Sequence, residues 1–327
     1  MNNKAMTNVN LAKWSKHLKV IPGNAYAIAL LVVVFGIMCN PKTFLTVGNA
    51  MNILEQCTIL AIVVVGSFLA MVTRGIDLSL GATMSFAGVV VAQLVKLYEM
   101  PMVIAAMLAV LAGGLMGALN GVIISRSKAA PFIITLGTMN IARSLALILS
   151  ENRTVSVNLP EFRFIGGAYL FNFIPYSIFV VIVVYIIFSM LTSATRLGTY
   201  WYSIGGNETS AALSGINVKF AKLLAYTFGG MLAAVAGVVL ASRLGSANPG
   251  QGDGYEFYGI AAAVVGGTSM SGGKGSVLRS LTGVIVICTL RNGLNMAGLP
   301  TSLQMVALGM VIIGVVAMDA MKGGANK

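Results

Sequence analysis

Long uncharged blocks, not alternation, dominate the hydrophobic pattern of this chain. Residues 25–39 (AYAIALLVVVFGIMC) and 175–190 (PYSIFVVIVVYIIFSM) contain no charge at all. A half-buried strand would alternate apolar and polar positions, whereas a membrane-crossing helix needs about 20 mainly apolar residues. Ten blocks meet or approach that description: 22–39, 53–73, 79–98, 101–124, 131–150, 174–194, 221–242, 257–271, 277–297 and 301–319. The eighth is short and holds Gly259, Gly266 and Gly267. It is expected to be broken or re-entrant, because irregular backbone at membrane depth survives only where protein or water surrounds it. The pattern therefore predicts an all-α, polytopic transmembrane helical bundle of about ten spans. One membrane domain covers 22–319, between a tail at 1–21 and a tail at 320–327. Two small-residue stripes, Gly113/Gly117/Gly121 and Gly229/Ala233/Gly237, predict faces where helix backbones approach closely.

Composition sharpens this. Hydrophobic residues make up 57% of the 327 and charged residues 9%, against roughly 25% charged in soluble domains. No sizeable soluble domain remains. The formal net charge of +12 would suggest nucleic acid in a soluble protein, but here the basic residues sit in short loops. With the N-terminus inside, the cytoplasmic set is Lys4, Lys13, Lys16, Lys19, Arg74, Arg126, Lys128, Arg196, Lys219, Lys222, Lys274, Arg279, Lys322 and Lys327. The outer set is only Lys42, Lys96, Arg153, Arg163 and Arg243. That bias places both termini in the cytoplasm. In the tail, Leu11, Trp14, Leu18 and Ile21 recur at helical spacing between lysines. They predict either a helix lying on the anionic leaflet or a disordered basic tail. No small-residue cleavage site follows the first block, which is expected to remain as a span.

Little in the chain suggests catalysis. No nucleophile elbow, zinc-binding helix or paired-carboxylate pattern is present. The stretch Gly267–Ser276 (GTSMSGGKGS) superficially resembles a phosphate loop, but Thr268 stands where glycine is needed and Gly275 follows the lysine. Any ATP would have to bind another chain. One histidine, His17, and three unpatterned cysteines, Cys39, Cys57 and Cys288, offer no metal site. No enzyme activity, metal or cofactor is expected.

Polar residues inside spans are costly in lipid and mark the next candidates. Arg143 and Arg291 fall near mid-membrane, with Asn140 one turn from the first and Asn292 and Asn295 beside the second. These five either hold helices together or line a hydrated substrate pathway. Glu55, Asp77, Glu256 and Asp319 all sit near predicted span ends, which argues against an ion-coupled secondary transporter, since that class needs a carboxylate near the midplane. The loop 195–220 contains Gly205, Gly206, Asn207, Glu208, Thr209, Ser210, Ala211, Ala212, Leu213 and Gly215. This reads as a capped helix of one to two turns with a glycine stop, suited to docking on a soluble partner, or else as a solvated loop. The outer loop 243–256, with Arg243, Asp253 and Glu256, is a candidate contact for an extracytoplasmic partner. A weak echo links Gly75–Gly81 to Gly272–Ser276, and transporters are often built from such repeats.

Six stretches carry a resemblance: Arg74–Gly81 (RGIDLSLG), Ala130–Thr138 (APFIITLGT), Gly205–Val218 (GGNETSAALSGINV), Gly254–Glu256 (GYE), Gly266–Gly275 (GGTSMSGGKG) and Asn292–Gly298 (NGLNMAG). In order and spacing the chain resembles the membrane permease subunit of ribose-type bacterial ABC sugar importers. Leu80, Ala82, Ser144 and Tyr258 depart from that family's usual residues and leave the substrate open. The resemblance implies a bacterial inner-membrane protein that translocates a monosaccharide, pentose or hexose, with a second permease chain, identical or paralogous. It implies a cytoplasmic ATP-binding subunit docked on residues 205–215, and a periplasmic sugar-binding protein delivering to the outer face.

Overall fold

The structure, a computed structural model, describes residues 22–127, 129–171 and 174–324. The N-terminal tail with His17 lies outside the described residues, as do Lys128 and residues 325–327. The described residues form α1 (Pro22–Met38), α2 (Pro41–Phe44), α3 (Val47–Val72), α4 (Leu80–Tyr98), α5 (Met102–Arg126) and α6 (Pro131–Leu149). These are followed by β1 (Val155–Ser156), α7 (Pro160–Gly167), β2 (Tyr169–Leu170), β3 (Ile174–Pro175), α8 (Ser177–Ala194), α9 (Arg196–Gly206) and α10 (Glu208–Leu213). The chain ends with α11 (Val218–Leu244), β4 (Ser246–Ala247), α12 (Tyr255–Val265), α13 (Val277–Met296) and α14 (Thr301–Gly324). The predicted all-α membrane bundle is what forms.

Seven of these helices, α3, α4, α5, α6, α8, α11 and α13, are long and apolar enough to cross a membrane. The shorter apolar stretches Asn24–Met38, Tyr255–Val265 and Ser302–Gly314 occupy the places of the predicted first, eighth and tenth spans. α14 continues to Gly324, so the residues expected to begin a C-terminal tail at 320 extend the helix. The strands are minimal: β1 pairs antiparallel with β4 (Val155 opposite Ala247), and β2 with β3 (Tyr169 opposite Pro175).

α11 is the hub, packed against α3, α4 and α5. Its small residues allow this. A methyl group at Gly113 would lie 2.5 Å from Ala234 Cβ, and one at Gly121 would lie 2.7 Å from Leu223 Cα. Both predicted stripes are therefore close-approach faces: the α5 stripe meets α11, and Gly237 on α11 meets Met84 on α4. Lipid offers helices no hydrophobic drive to associate, so such contact must supply the adhesion.

Two connections between helices unwind inside the bundle. After α3, the segment 75–79 has no regular structure, yet Leu80 Cδ1 would lie 3.5 Å from a methyl group on Gly66. Gly66 is six residues, about 9 Å, before the end of α3, so the chain doubles back into the bundle before α4 starts. After α11 the same happens. The Gly252 N–H donates to Ser85 Oγ at 2.8 Å. Ser85 follows Met84, the neighbour of Gly237, which is about 10 Å back from the end of α11. α12 then has only eleven residues, roughly 16 Å, half of a crossing. α4 packs on α11 while α12 packs on α3, so the two helix pairs exchange partners in opposite directions. Gly273 N–H donates to Val72 O at 3.0 Å, which sets the predicted echo segments side by side. The structural counterpart of 75–79 is instead 248–254.

Replacing Gly117 with leucine should force α5 off α11 at Tyr226 and Gly230, lowering stability by about 1–3 kcal/mol. Gly48→Leu, which meets nothing within 4 Å, should leave the melting temperature in detergent unchanged; equal melting of both variants would refute the close packing.

Candidate functional site: the unwound segments and the half-helix

Backbone without helical partners inside a bundle must be satisfied by side chains. Around 75–79 that work falls to Thr135, Thr138 and Asn120. Leu78 N–H donates to Thr135 Oγ1 (3.1 Å), and the Thr135 hydroxyl donates to Ile76 O (3.2 Å). Asp77 Oδ1 accepts from Ser79 N–H (2.9 Å) and Ser79 Oγ–H (2.6 Å). Asn120 Nδ2 donates on to Ser79 Oγ (2.9 Å), and the Thr138 hydroxyl donates to Asn120 Oδ1 (2.6 Å). The stretch RGIDLSLG is thus tied to APFIITLGT, with Asn120 of α5 bridging them. Asp77 precedes α4, where a carboxylate offsets the positive helix end. Glu256 stands correspondingly in the first turn of α12, accepting from Gly254 N–H at 3.3 Å and abutting Gly81.

These positions correct an expectation. Asp77 and Glu256 are only 3% and 4% exposed and sit inside the bundle, not near its faces. Continuous helices were assumed in placing them at span ends; the doubling back of 75–79 and 248–254 carries them inward.

The predicted pathway residues divide. Arg143 Nη2 pairs with Asp253 Oδ1 at 2.5 Å, with side chains 37% and 51% exposed. Arg291 lies over the rings of Tyr258 (4.1 Å to the centroid) and Tyr255 (5.5 Å). Both arginines therefore converge on residues 253–258, where α12 begins. Asn140 and Asn295 are exposed, and the Asn140 amide donates to Leu136 O at 3.1 Å. Asn292 differs: it is buried, and its Oδ1 has no partner among the described residues.

The outer-loop residues divide too. Arg243 is committed to Glu55 at 2.8 Å. Glu256 is buried against Gly81, as described. Asp253 is exposed and pairs with Arg143, next to Gly252, whose N–H bonds Ser85.

The loop 195–220 is ordered in the way its caps predict. The Asn207 side chain accepts from Ser210 N–H at 2.9 Å, α10 runs Glu208–Leu213, and Gly215 takes φ +81°. Behind α10, Trp201 Nε1 donates to Ala221 O at 2.8 Å. Gly205 is wedged against Val72 O and Gly273 N. Within the docking segment 205–215, Ala211 is 4% exposed and faces the core, whereas Leu213 is 86% exposed. Glu208 is paired with Lys222 at 2.7 Å and keeps half of its side chain open. Gly206, Thr209, Ser210 and Ala212 face outward.

Sequence reading missed Asn120, Thr135, Thr138 and Ser85. Thr135 and Thr138 stand three apart on one helical face inside a recognised motif, which was the available signal.

The family described as branched-chain amino acid transport system / permease component matches residues 49–316. The chain belongs to this family. The match begins in α3 and ends within α14, so it contains both unwound segments and the α9–α10 loop. The chain is 38% identical over 306 residues to the D-allose transport system permease protein AlsC of Escherichia coli K12, covering 94% of this chain and 92% of the relative. It is 38% identical over 303 residues to the ribose import permease protein RbsC of Bacillus subtilis 168, with 92% of each chain covered. Against the galactose/methyl galactoside import permease protein MglC of E. coli K12 it is 32% identical over 343 residues, covering 98% of this chain and all of that one. No solved structure matches the chain.

In this permease, Asn120→Leu should strand the Ser79 and Thr138 hydroxyls in the interior. The expected cost is about 1–3 kcal/mol, read as a lowered melting temperature in detergent. An unchanged melting temperature would mean the 75–79 segment is held by something else.

Proposed function

We propose that the chain is the membrane permease subunit of an ATP-driven importer, carrying a pentose or hexose delivered by a periplasmic binding protein. The observation that carries this reading is the match to sugar permeases over nine-tenths of both chains. The site adds support: exposed Asn140, Arg143 and Asp253 on and beside a membrane helix cannot face acyl chains, and amide, guanidinium and carboxylate groups suit a solute made of hydroxyls. α6 is the least covered of the long apolar helices, which fits a second permease chain facing it across a shared polar lumen. Contacts group Val72, Gly205, Gly273 and Ala221 at one end of the bundle, with Arg74, Arg196, Lys219, Lys222 and Lys274 in the adjoining segments. By the positive-inside rule that end is cytoplasmic, and the membrane is the bacterial inner membrane. Leu213 on α10 then projects toward an ATP-binding subunit.

The buried carboxylates Asp77 and Glu256 are the one feature favouring the ion-coupled alternative. Each already accepts hydrogen bonds from its own segment, which suits a structural carboxylate better than a proton carrier.

The test is co-purification with the ATP-binding subunit and assay in proteoliposomes. ATPase activity should rise on adding sugar-loaded binding protein. Leu213→Asp should leave the permease inserted but cut stimulated activity by about tenfold, as loss of a buried interface anchor does. Uptake that collapses with an uncoupler and ignores ATP would overturn the reading.

A further inference from the structure

Four observations meet at residue 253. First, Arg143 is twelve residues into α6, about 18 Å from its start, and both it and Asp253 keep a third to a half of their side chains open. Open charges at that depth require water or solute beside them. Second, Asp253 sits between Gly252 and Gly254, and Gly254 has φ +87°. Third, α12 ends at a second joint, Gly266 and Gly267, the latter at φ +89°. Fourth, the half-helix is clasped from two directions: Arg143 of α6 holds Asp253 at its start, and Arg291 of α13 covers Tyr258. The eleven-residue helix thus has a glycine joint at each end and a cation from a neighbouring helix at its first turn.

We propose that Arg143 and Asp253 form a gate: the ion pair closes the pathway between α6 and α12, and the same two side chains bind the sugar as it passes. This rests on the sugar-importer reading and assigns to the pathway a residue that the loop's position suggested for docking. The chemistry is an exchange. A half-exposed ion pair contributes little to stability, so vicinal hydroxyls can replace it, donating to the carboxylate and accepting from the guanidinium. Arg143 Nε is buried with no partner among the described residues, and reorientation toward a hydroxyl would satisfy it. A neutral polyol suits the pair because it leaves the net charge of the passage unchanged.

The experiment uses the whole transporter in proteoliposomes, with the binding protein and radiolabelled sugar. Asp253→Asn and Arg143→Gln should each raise ATP-independent sugar leak severalfold and lower ATP-driven uptake. The binding-protein concentration giving half-maximal ATPase stimulation should not move. The exchanged double variant, Arg143→Asp with Asp253→Arg, should restore the seal to wild-type leak while uptake stays low, because the sugar then meets inverted partners. If Asp253→Asn does not accumulate in the membrane, Asp253→Glu keeps the charge at longer reach and should show an intermediate leak. Wild-type leak in every variant would overturn the gate. So would a raised half-maximal binding-protein concentration without leak, which would make Asp253 a docking residue. Absence of sugar-stimulated ATPase in the wild type would instead count against the importer reading itself.

Discussion

Backbone that leaves the helix inside a membrane protein has no water to turn to, and this single constraint organises the bundle. The chain unwinds at 75–79 and at 248–254, and each time the freed groups find side chains from neighbouring helices. Thr135 takes both Leu78 N–H and Ile76 O; Ser85 takes Gly252 N–H. Those partners fix where α5, α6 and α4 must stand. The helix starts exposed by the breaks each receive a carboxylate, Asp77 and Glu256, which offsets their dipoles. Glycine at 81 lets Glu256 and the Gly252 carbonyl approach the first turn of α4.

The same geometry connects the α9–α10 loop to the breaks. Gly205, at the end of α9, touches Val72 O and Gly273 N, and Gly273 N–H itself bonds Val72 O. Val72 is the last residue of α3 before the first break; Gly273 belongs to the turn that follows α12. The end of α9 is therefore packed directly against the end of α3 and the turn after α12. The Asn207 cap and the Glu208–Lys222 pair hold α10 against the start of α11.

Much of this was legible in the sequence. Apolar blocks fixed the class and the helix sites, and glycine spacing in α5 identified a real close-approach face. Asn207 and Gly215 bounded α10 correctly. What failed did so for a common reason. Linear span counting treats each apolar block as a continuous crossing, so it puts Asp77, Asp253 and Glu256 at membrane faces. A chain that doubles back about 10 Å moves them inside. The burial of Ala211 has a different reason: which face of a helix turns inward depends on neighbours distant in sequence, and a short helix has too few positions to reveal it. Asn120 hid inside an apolar run because one amide scarcely alters such a pattern.

The central claim is that the face of α6 near α12 borders water and not lipid. Its most direct test is thiol accessibility, with Cys39, Cys57 and Cys288 replaced by serine. A cysteine at Asn140 should react with a small hydrophilic reagent far faster than one at Ile186, an exposed apolar position on α8, and transported sugar should slow the reaction. An Asn140→Cys variant as inert as Ile186→Cys would contradict the account.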